Sequence, residues 1–183
     1  MFMMDKKEQR KVCKERLASL SSEDRQSFSA FIIDRVRRLP VYRQAQSVFM
    51  YRSTVEEVCT DELLLDALRE GKSVFLPRID GDKMFLVPYN ENVKFQRNIY
   101  GIEEPVGASY EGAVDLAVIP LLGFDRSRAR LGRGKGYYDH FLSEFSGKAI
   151  ALAFSTQELS CINSEAHDVR PQMIVTEKDE ICE

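Results

Sequence analysis

The sequence predicts an α/β protein: a single three-layer α/β/α domain with a mainly parallel central sheet and a glycine-rich phosphate-binding loop. Residues 47–51, 114–120 and 148–154 have the β-branched and apolar composition of strands buried on both faces. Segments with helical spacing lie between them, and this alternation is typical of right-handed βαβ crossovers. With 183 residues the chain can bury a substantial core, so we predict one domain over 1–183 with a helical segment at 5–39.

Capping residues and the spacing of apolar residues predict the helices over 5–20, 21–39, 60–70 and 137–145. Ser21 and Thr60 are favoured N-cap residues at the starts of the second and third helices. Pro40 and Gly71 follow the ends of these two helices, where proline and glycine commonly stop a helix. The second and third helices therefore have local signals at both of their ends.

Short apolar runs predict strands over 47–51, 73–76, 83–87, 114–120, 148–154 and 173–176. We expect Pro77 to end the second strand. The 83–87 strand follows a turn at 80–82 and is more exposed, whereas 88–113 is rich in turn residues and is predicted to be irregular. A loop of that length in a compact domain often carries function.

The most informative motif is the run from Arg130 to Asp139, in which three glycines alternate with two cations before two tyrosines and a carboxylate. Glycine lets the backbone approach a ligand, and backbone N–H groups with cations suit phosphate. An exposed basic turn would explain a single G-x-G, but this run lies between a buried strand and a helix. It is not a Walker A loop, because Gly136 follows Lys135 where that motif has Ser or Thr.

Ligands of parallel sheets bind at the carboxyl ends of the strands. The loops after Tyr51, Pro120 and Phe154 should therefore meet in one cleft. Arg130 and Lys135 would enter this cleft from the loop after Pro120, together with the glycines between them. The sequence thus predicts one phosphate-binding cleft at one edge of the sheet.

The composition excludes several classes of protein. Apolar and charged fractions of 44% and 30% are those of a soluble globular protein, and the net charge of −3 argues against general nucleic-acid binding. The four cysteines lack the spacing of a zinc module or a disulfide framework, so we expect free thiols in a reducing cytoplasm. No segment has the length and apolar content of a membrane span.

Residues 120–125, Pro-Leu-Leu-Gly-Phe-Asp, continue through the glycine run and resemble the signature of the 5-formyltetrahydrofolate cyclo-ligase family, also called 5,10-methenyltetrahydrofolate synthetases. The resemblance covers most of the chain. Other motifs follow in family order: Lys6-x-x-x-Arg10, Glu57-Val58-Cys59-Thr60, Gly71-Lys72, Leu76-Pro77-Arg78, Gly101-Ile102-Glu103-Glu104-Pro105 and Glu165-Ala166-His167-Asp168. Arg128 stands where the family commonly has glycine, and we expect that turn to adopt another conformation. Gln172 stands where an acid is frequent.

The resemblance implies a reaction in which 5-formyltetrahydrofolate and ATP, with Mg²⁺, give 5,10-methenyltetrahydrofolate, ADP and phosphate. In the mechanism ascribed to the family, the formyl oxygen is phosphorylated and nitrogen 10 then closes the ring. A site of this kind has mainly to align the reactants and neutralise phosphate charge. The expected partner is the folate substrate alone, without nucleic acid or membrane, and the resemblance implies a monomer.

The resemblance also implies the roles of individual residues. Arg133 and Lys135 would be the catalytic cations that stabilise the transferred phosphoryl group, and Asp139 and Asp168 would bind Mg²⁺. The residues implied in ATP binding are Lys6, Arg10, Arg130, Leu131, Gly132, Arg133, Gly134, Lys135, Gly136, Tyr137 and Tyr138. Those implied in folate binding are Arg52, Glu57, Arg133 and Tyr137.

Simpler explanations exist for several of these residues. Lys6 and Arg10 could form a solvated helix face, and Asp139 could only cap its helix. Glu57 and Asp168 could be surface acids. Two other functions also stay open: a non-catalytic relative that binds folate, nucleotide or RNA, and a sugar-phosphate isomerase or acyl-transferase that needs neither ATP nor Mg²⁺.

Overall fold

The computed structural model describes residues 4–99 and 101–183. The helices of these residues are α1 Lys6–Ala18, α2 Ser22–Arg38, α3 Pro40–Gln44, α4 Asp61–Arg69 and α5 Tyr137–Glu144, with a short 3₁₀ helix at Ser155–Gln157. Their strands are β1 Ser47–Met50, β2 Ser73–Asp80, β3 Lys83–Tyr89, β4 Phe95–Arg97, β5 Glu103–Pro105, β6 Leu116–Pro120, β7 Gly123–Phe124, β8 Arg130–Leu131, β9 Lys148–Leu152, β10 Met173–Val175 and β11 Glu180–Ile181. Within the described ranges, no helix is both long enough and apolar enough to cross a bilayer.

The central sheet has the strand order β3-β2-β1-β6-β9-β10-β11. Strands β2, β1, β6, β9 and β10 are parallel, whereas the edge strands β3 and β11 run antiparallel to their neighbours. Across the sheet, the chain moves from β1 to β2 in one direction and from β6 to β9 in the opposite direction. The strand order therefore reverses between β1 and β6, which is where sheets of this kind open a crevice at their carboxyl edge.

Alternate residues of each central strand belong to two different cores. Val48 and Met50 pack with side chains of α1, α2 and α4, whereas Phe49 between them packs with Phe141 and Leu142 of α5 on the opposite face. The predicted three-layer α/β/α architecture is confirmed, and its layers are unequal. Most of the helical segment predicted at 5–39 lies in the thicker layer.

The prediction that Pro77 ends a strand is wrong. Strand β2 continues through Pro77 to Asp80 and pairs with β3 as a hairpin, in which Pro77 faces Leu86. The paired register between β1 and β2 ends at Phe75, so beyond it β3 is the strand that pairs with β2. The missing N–H of a proline is tolerated where a strand has an open side.

The stretch 88–113 is more ordered than predicted. Strand β3 extends to Tyr89, and β4 pairs antiparallel with β5 through the partners Phe95 and Pro105. The sequence also does not predict α3 or β11. These elements have five and two residues, which is too short for an apolar period to be visible.

The structure contradicts the predictions for two residues, Thr60 and Arg128. Thr60 precedes α4 but does not cap it, because its hydroxyl donates to the carbonyl oxygen of Tyr51 at 2.8 Å. Arg128 was expected to force another turn, yet it takes the left-handed conformation itself, with a φ of 65°. Its guanidinium donates to the carbonyl oxygens of Pro171 (3.1 Å) and Gln172 (3.2 Å), and these contacts hold a backbone conformation that non-glycine residues rarely adopt.

Asp115 joins the amino ends of β1 and β6. Its Oδ2 accepts hydrogen bonds from the backbone N–H groups of Gln46 (2.8 Å) and Ser47 (3.0 Å). These bonds lower the pKa of the Asp115 carboxyl. The stabilisation is therefore present above the pKa of an unfolded aspartate, about 3.9, and is lost as the pH falls through the lower pKa of the folded state.

We expect Asp115→Ala to lower the free energy of unfolding by about 1 kcal/mol at neutral pH, because two backbone donors lose their acceptor. The difference from the wild-type protein should shrink as the pH falls below about 3.9. Urea denaturation at pH 7 and at pH 3.5 measures this, with Asp82→Ala in the β2–β3 turn as the control. Equal destabilisation at both pH values would contradict the proposed contribution of the carboxylate.

Candidate active site

A cleft of about 700 Å³ opens at the carboxyl ends of β1 and β6. Tyr51 after β1 and Leu121 after β6 lie in its wall, and Asp168 reaches it from the loop between β9 and β10. Lys6 and Arg10 of α1 close one side. The prediction that three loops meet in one cleft is confirmed, although the third contributes residues 165–168 rather than those next to Phe154.

The residues predicted for the site come from distant parts of the sequence but line this one cleft: Lys6, Arg10, Arg52, Glu57, Arg130, Leu131, Gly132, Arg133, Gly134, Lys135, Gly136, Tyr137, Tyr138, Asp139 and Asp168. The glycine run is not entirely a loop, because β8 occupies its first two residues. The irregular part spans 132–136 and ends where α5 begins.

Backbone conformation, and not lack of space, favours glycine at two positions of the run. Gly134 and Gly136 have φ values of 104° and 75°, in the left-handed region that favours glycine. A Cβ at Gly134 would lie 3.6 Å from Cζ of Arg10, and the Nε of Arg10 donates to the carbonyl oxygen of Gly132 at 2.9 Å. The run is therefore fixed by its own backbone conformation and by a cation from α1.

Lys6 lies between two carboxylates of the 165–168 loop. Its Nζ is 2.9 Å from Oε1 of Glu165 and 2.9 Å from Oδ2 of Asp168. Burial lowers the pKa of Lys6, but the hydrogen bonds and charges of the two carboxylates outweigh it and raise the pKa above its ordinary value. Burial raises the pKa of Asp168, but the hydrogen bonds from the Glu165 N–H and from Lys6 outweigh burial and lower this pKa below its ordinary value. Lys6 and Asp168 are therefore both charged at neutral pH.

The buried side chain of Gln9 explains why α1 brings Lys6 to this loop. Its amide nitrogen donates to the carbonyl oxygen of Cys161 at 2.7 Å, and its amide oxygen accepts from the N–H of Asn163 at 3.2 Å. A buried amide must satisfy both of its ends, so these two bonds fix the register of the helix against the loop. Lys6 then lies within reach of Asp168.

Arg130 forms the most buried ion pair of the cleft. Its side chain is 3% exposed, and its Nη2 donates to Oδ1 of Asp139 in the first turn of α5. Its buried Nε has no hydrogen-bond partner among the described residues. A buried donor without a partner is unfavourable, so the ion pair with Asp139 leaves part of the hydrogen-bonding capacity of Arg130 unfilled.

Arg133 faces acidic residues of the loop after β1. Its Nη1 is 3.0 Å from Oε2 of Glu56, and its Nε is 3.7 Å from Oε1 of Glu57. The Glu57 side chain is mostly buried, and its Oε2 accepts from the N–H of Thr54 at 2.9 Å. Burial raises the pKa of the Tyr138 phenol, the charge of Glu57 raises it further, and Tyr138 therefore keeps its proton at neutral pH.

The opposite wall of the cleft was missed by the sequence analysis. It consists of side chains from the β2–β3 hairpin and from the segment between β4 and β5, namely Ile79, Met84, Asn98 and Ile102. The buried Glu104 fixes this wall, because its Oε1 accepts from the N–H of Ile79 and from Nδ2 of Asn98, both at 2.9 Å. The Gly101-to-Pro105 motif was the signal that could have located it.

Arg52 contacts the β4–β5 ribbon. Its Nη1 is 2.7 Å from Oε2 of Glu103, and its guanidinium carbon lies 4.4 Å from the centroid of the Phe95 ring. Both Arg52 and Glu57 line the cleft. The interactions of Arg52 therefore join the loop after β1 to the β4–β5 ribbon.

No group of three or more histidine, cysteine, aspartate or glutamate side chains is placed to hold a metal ion in the part of the chain that the structure describes. Asp139 and Asp168, the predicted metal ligands, each form an ion pair with a cation. His167, interpreted from the sequence as a structural residue, lies with its Nε2 3.4 Å from Oε2 of Glu165.

Comparison with known proteins identifies the family. The model of the 5-formyltetrahydrofolate cyclo-ligase family matches residues 3–177. The 5-formyltetrahydrofolate cyclo-ligase of Mus musculus is 30% identical over 181 residues, which cover 90% of this chain and 89% of the mouse protein. The solved structure of 5,10-methenyltetrahydrofolate synthetase from Aquifex aeolicus is 32% identical with a TM-score of 0.85, over 97% of this chain and 92% of that one.

The solved 5,10-methenyltetrahydrofolate synthetase from Mycoplasma pneumoniae superposes with a TM-score of 0.74 over 95% of this chain and 99% of that one. At 21% identity it supports the fold alone. The family match spans nearly the whole chain, and the mouse and Aquifex proteins agree with it. This chain therefore belongs to the 5-formyltetrahydrofolate cyclo-ligase family of ligases.

Proposed function

We propose that this protein converts 5-formyltetrahydrofolate into 5,10-methenyltetrahydrofolate with consumption of ATP, dependence on Mg²⁺ and release of ADP and phosphate. Family membership supports the activity. One observation supports the dependence on ATP and Mg²⁺. The glycine run, the α1 cations of the Lys6-x-x-x-Arg10 motif, and the carboxylates of Asp139 and Asp168 all line one cleft. A phosphate site beside an apolar wall suits a nucleotide and a folate together.

The proposed reaction has two steps. The formyl oxygen attacks the γ-phosphorus of ATP, the bond to the bridging oxygen breaks, and ADP leaves. Nitrogen 10 then attacks the formyl carbon and loses its proton, the carbon–oxygen bond breaks, and phosphate leaves with the former formyl oxygen. Phosphorylation is needed because the formamide oxygen alone is a poor leaving group, so the protein has to align the reactants and neutralise phosphate charge.

We assign the phosphate contacts to the glycine run and to α1. Arg133 and Lys135 would stabilise the charge of the transferred phosphoryl group, because fixed cations in a cleft need no reorganisation during the reaction. Lys6 and Arg10 would contact the other phosphates, together with Arg130, since all three residues line the cleft.

We assign the folate to the side of the cleft beyond Arg133. Glu57 is mostly buried and its carboxylate would accept hydrogen bonds from pterin N–H groups. Tyr137 and Arg52 flank this region. Ile79 and Ile102 offer the apolar surface that the flat aromatic part of a folate requires.

The donor set fits Mg²⁺, which in proteins uses one or two carboxylates with waters and phosphate oxygens. We therefore propose Asp139 and Asp168 as the residues that would hold it. When bound, Mg²⁺ would withdraw charge from the phosphate oxygens. The single domain, the monomeric state and the cytoplasmic location stay predictions.

Replacing Lys135 with alanine should lower the rate of methenyl formation by about 10²- to 10³-fold, because one fixed cation at the transferred phosphoryl group is lost. The rate is followed by near-ultraviolet absorbance of the methenyl chromophore with 5-formyltetrahydrofolate, Mg²⁺ and ATP at mildly acidic pH. Lys7→Ala is the matched control, since Lys7 is an exposed residue of α1 that does not line the cleft.

An unchanged rate in Lys135→Ala would contradict the role of Lys135. A folded wild-type protein that binds ATP or folate but forms no chromophore would overturn the catalytic proposal. That result would favour the non-catalytic binding relative. Chromophore growth without ATP would contradict the phosphorylation step.

Asp139→Asn tests whether Asp139 is a metal ligand or only the partner of Arg130. We expect the free energy of unfolding without ligands to fall by about 1–3 kcal/mol, because the buried guanidinium loses its charged acceptor. We also expect the Mg²⁺ concentration for half-maximal rate to rise. Thermal denaturation and a Mg²⁺ titration measure the two effects, with the exposed Asp80→Asn as control. Destabilisation with unchanged Mg²⁺ dependence would mean that Asp139 has a structural role only.

A further inference from the structure

Glu165 makes two separate contacts to the predicted nucleotide site, although no role is assigned to it. Its Oε1 lies 2.9 Å from Nζ of Lys6. Its backbone N–H donates to Oδ2 of Asp168 at 2.8 Å. One residue thus contacts both a predicted phosphate ligand and a predicted metal ligand.

We propose that Glu165 is a positioning residue that fixes the ammonium group of Lys6 and, through Lys6, orients the carboxylate of Asp168 toward the metal. This inference rests on the proposed function. Glu165 acts through its neighbours, so it needs no contact of its own with Mg²⁺ or nucleotide.

The hydrogen bonds at Asp168 support this role. Both donors, the Nζ of Lys6 and the N–H of Glu165, bind the same oxygen, Oδ2. Oδ1 accepts from neither of them, and its near neighbour is Nε2 of His167 at 3.6 Å. A carboxylate that is fixed through one oxygen presents the other in a defined direction, and such supporting bonds typically determine metal affinity.

The flexibility of lysine explains why a second carboxylate is needed. A lysine side chain has four flexible carbons, and one ion pair leaves much of that freedom. With Glu165 and Asp168 both at 2.9 Å, Nζ is held from two sides. When nucleotide phosphates compete for Lys6, the contact to Glu165 remains and keeps Lys6 within the site.

The pair formed by Arg130 and Asp139 shows the same arrangement as the pair formed by Lys6 and Asp168. Arg130 donates to Oδ1 of Asp139, so each predicted metal ligand is oriented by a cation through one of its two oxygens. Arg130 is rigid because it is buried, with a side chain 3% exposed. Lys6 is 21% exposed, and Glu165 supplies the restraint that burial supplies to Arg130.

The test measures binding without turnover. Mn²⁺ replaces Mg²⁺, a non-hydrolysable ATP analogue replaces ATP, and electron paramagnetic resonance reports free Mn²⁺. We expect Glu165→Gln to raise the Kd of the Mn²⁺–nucleotide complex about 10-fold, the lower end of the range for a residue that supports a metal ligand. The melting temperature should not change, because the Glu165 side chain is 56% exposed. The matched control is Glu15→Gln, which removes an acid that pairs with Lys11 on the same helix.

A double-mutant cycle separates positioning from direct ligation. If Glu165 acts through Lys6, Glu165→Gln should weaken binding of the Mn²⁺–nucleotide complex little further in a Lys6→Met background. If Glu165 were a direct metal ligand, the substitution would raise the Kd in that background as much as in the wild-type protein. If the wild-type protein binds the Mn²⁺–nucleotide complex, an unchanged Kd in Glu165→Gln or full additivity in the cycle would overturn this inference. Either result would leave the proposed function intact. A folded wild-type protein that binds no Mn²⁺–nucleotide would overturn both it and the proposed function.

Discussion

The parallel pairing of β1 with β6 is the constraint from which the cleft follows. The two strands lie side by side, with Phe49 opposite Ala117, yet their chains leave the sheet in opposite directions. Right-handed crossovers then require α4 and α5 to cover opposite faces, as the two cores show. Neither helix covers the carboxyl ends of both strands, so the loops after β1 and β6 are left with a space between them. The glycine run occupies one side of that space because it connects β6 to α5.

Charge within the cleft is balanced locally by ion pairs. Among its lining residues, cations outnumber carboxylates six to four. The carboxylates lie beside individual cations, with Asp168 at Lys6, Asp139 at Arg130 and Glu57 nearest Arg133. These pairs keep the side chains ordered without a ligand, and ordered charges cost less reorganisation when a polyanion binds. The remaining excess of positive charge suits a magnesium–nucleotide complex, which is still anionic.

Local signals predicted the architecture well and long-range contacts poorly. The central strands and the main helices could be predicted because composition and capping act over a few residues. The glycine run was recognised for the same reason, and the left-handed φ values of Gly134 and Gly136 explain why glycine is favoured at those positions. The pairing of Lys6 with Asp168 spans 162 residues and leaves no local trace. The family resemblance, and not the spacing, placed the two residues in one site.

Two errors show how tertiary context overrides local rules. Pro77 lies inside β2 because the strand has an open side there, which depends on where its neighbour β1 ends. Arg128 takes a conformation typical of glycine because the carbonyl oxygens of Pro171 and Gln172 accept hydrogen bonds from its side chain. In both cases the deciding contact comes from a segment that is distant in sequence. The missed second wall of the cleft has the same origin, since it requires the β2–β3 hairpin and the β4–β5 ribbon to meet.

The order of the site residues along the chain has a consequence for biosynthesis. Lys6 is synthesised before Asp168, which follows it by 162 residues. A nascent chain that stops before residue 165 contains α1 and the first strands, but its Lys6 lacks the two carboxylates, Glu165 and Asp168, that it contacts in the folded protein. The ion pairs that hold Lys6 at the cleft therefore depend on a segment that is synthesised long after α1 and β1.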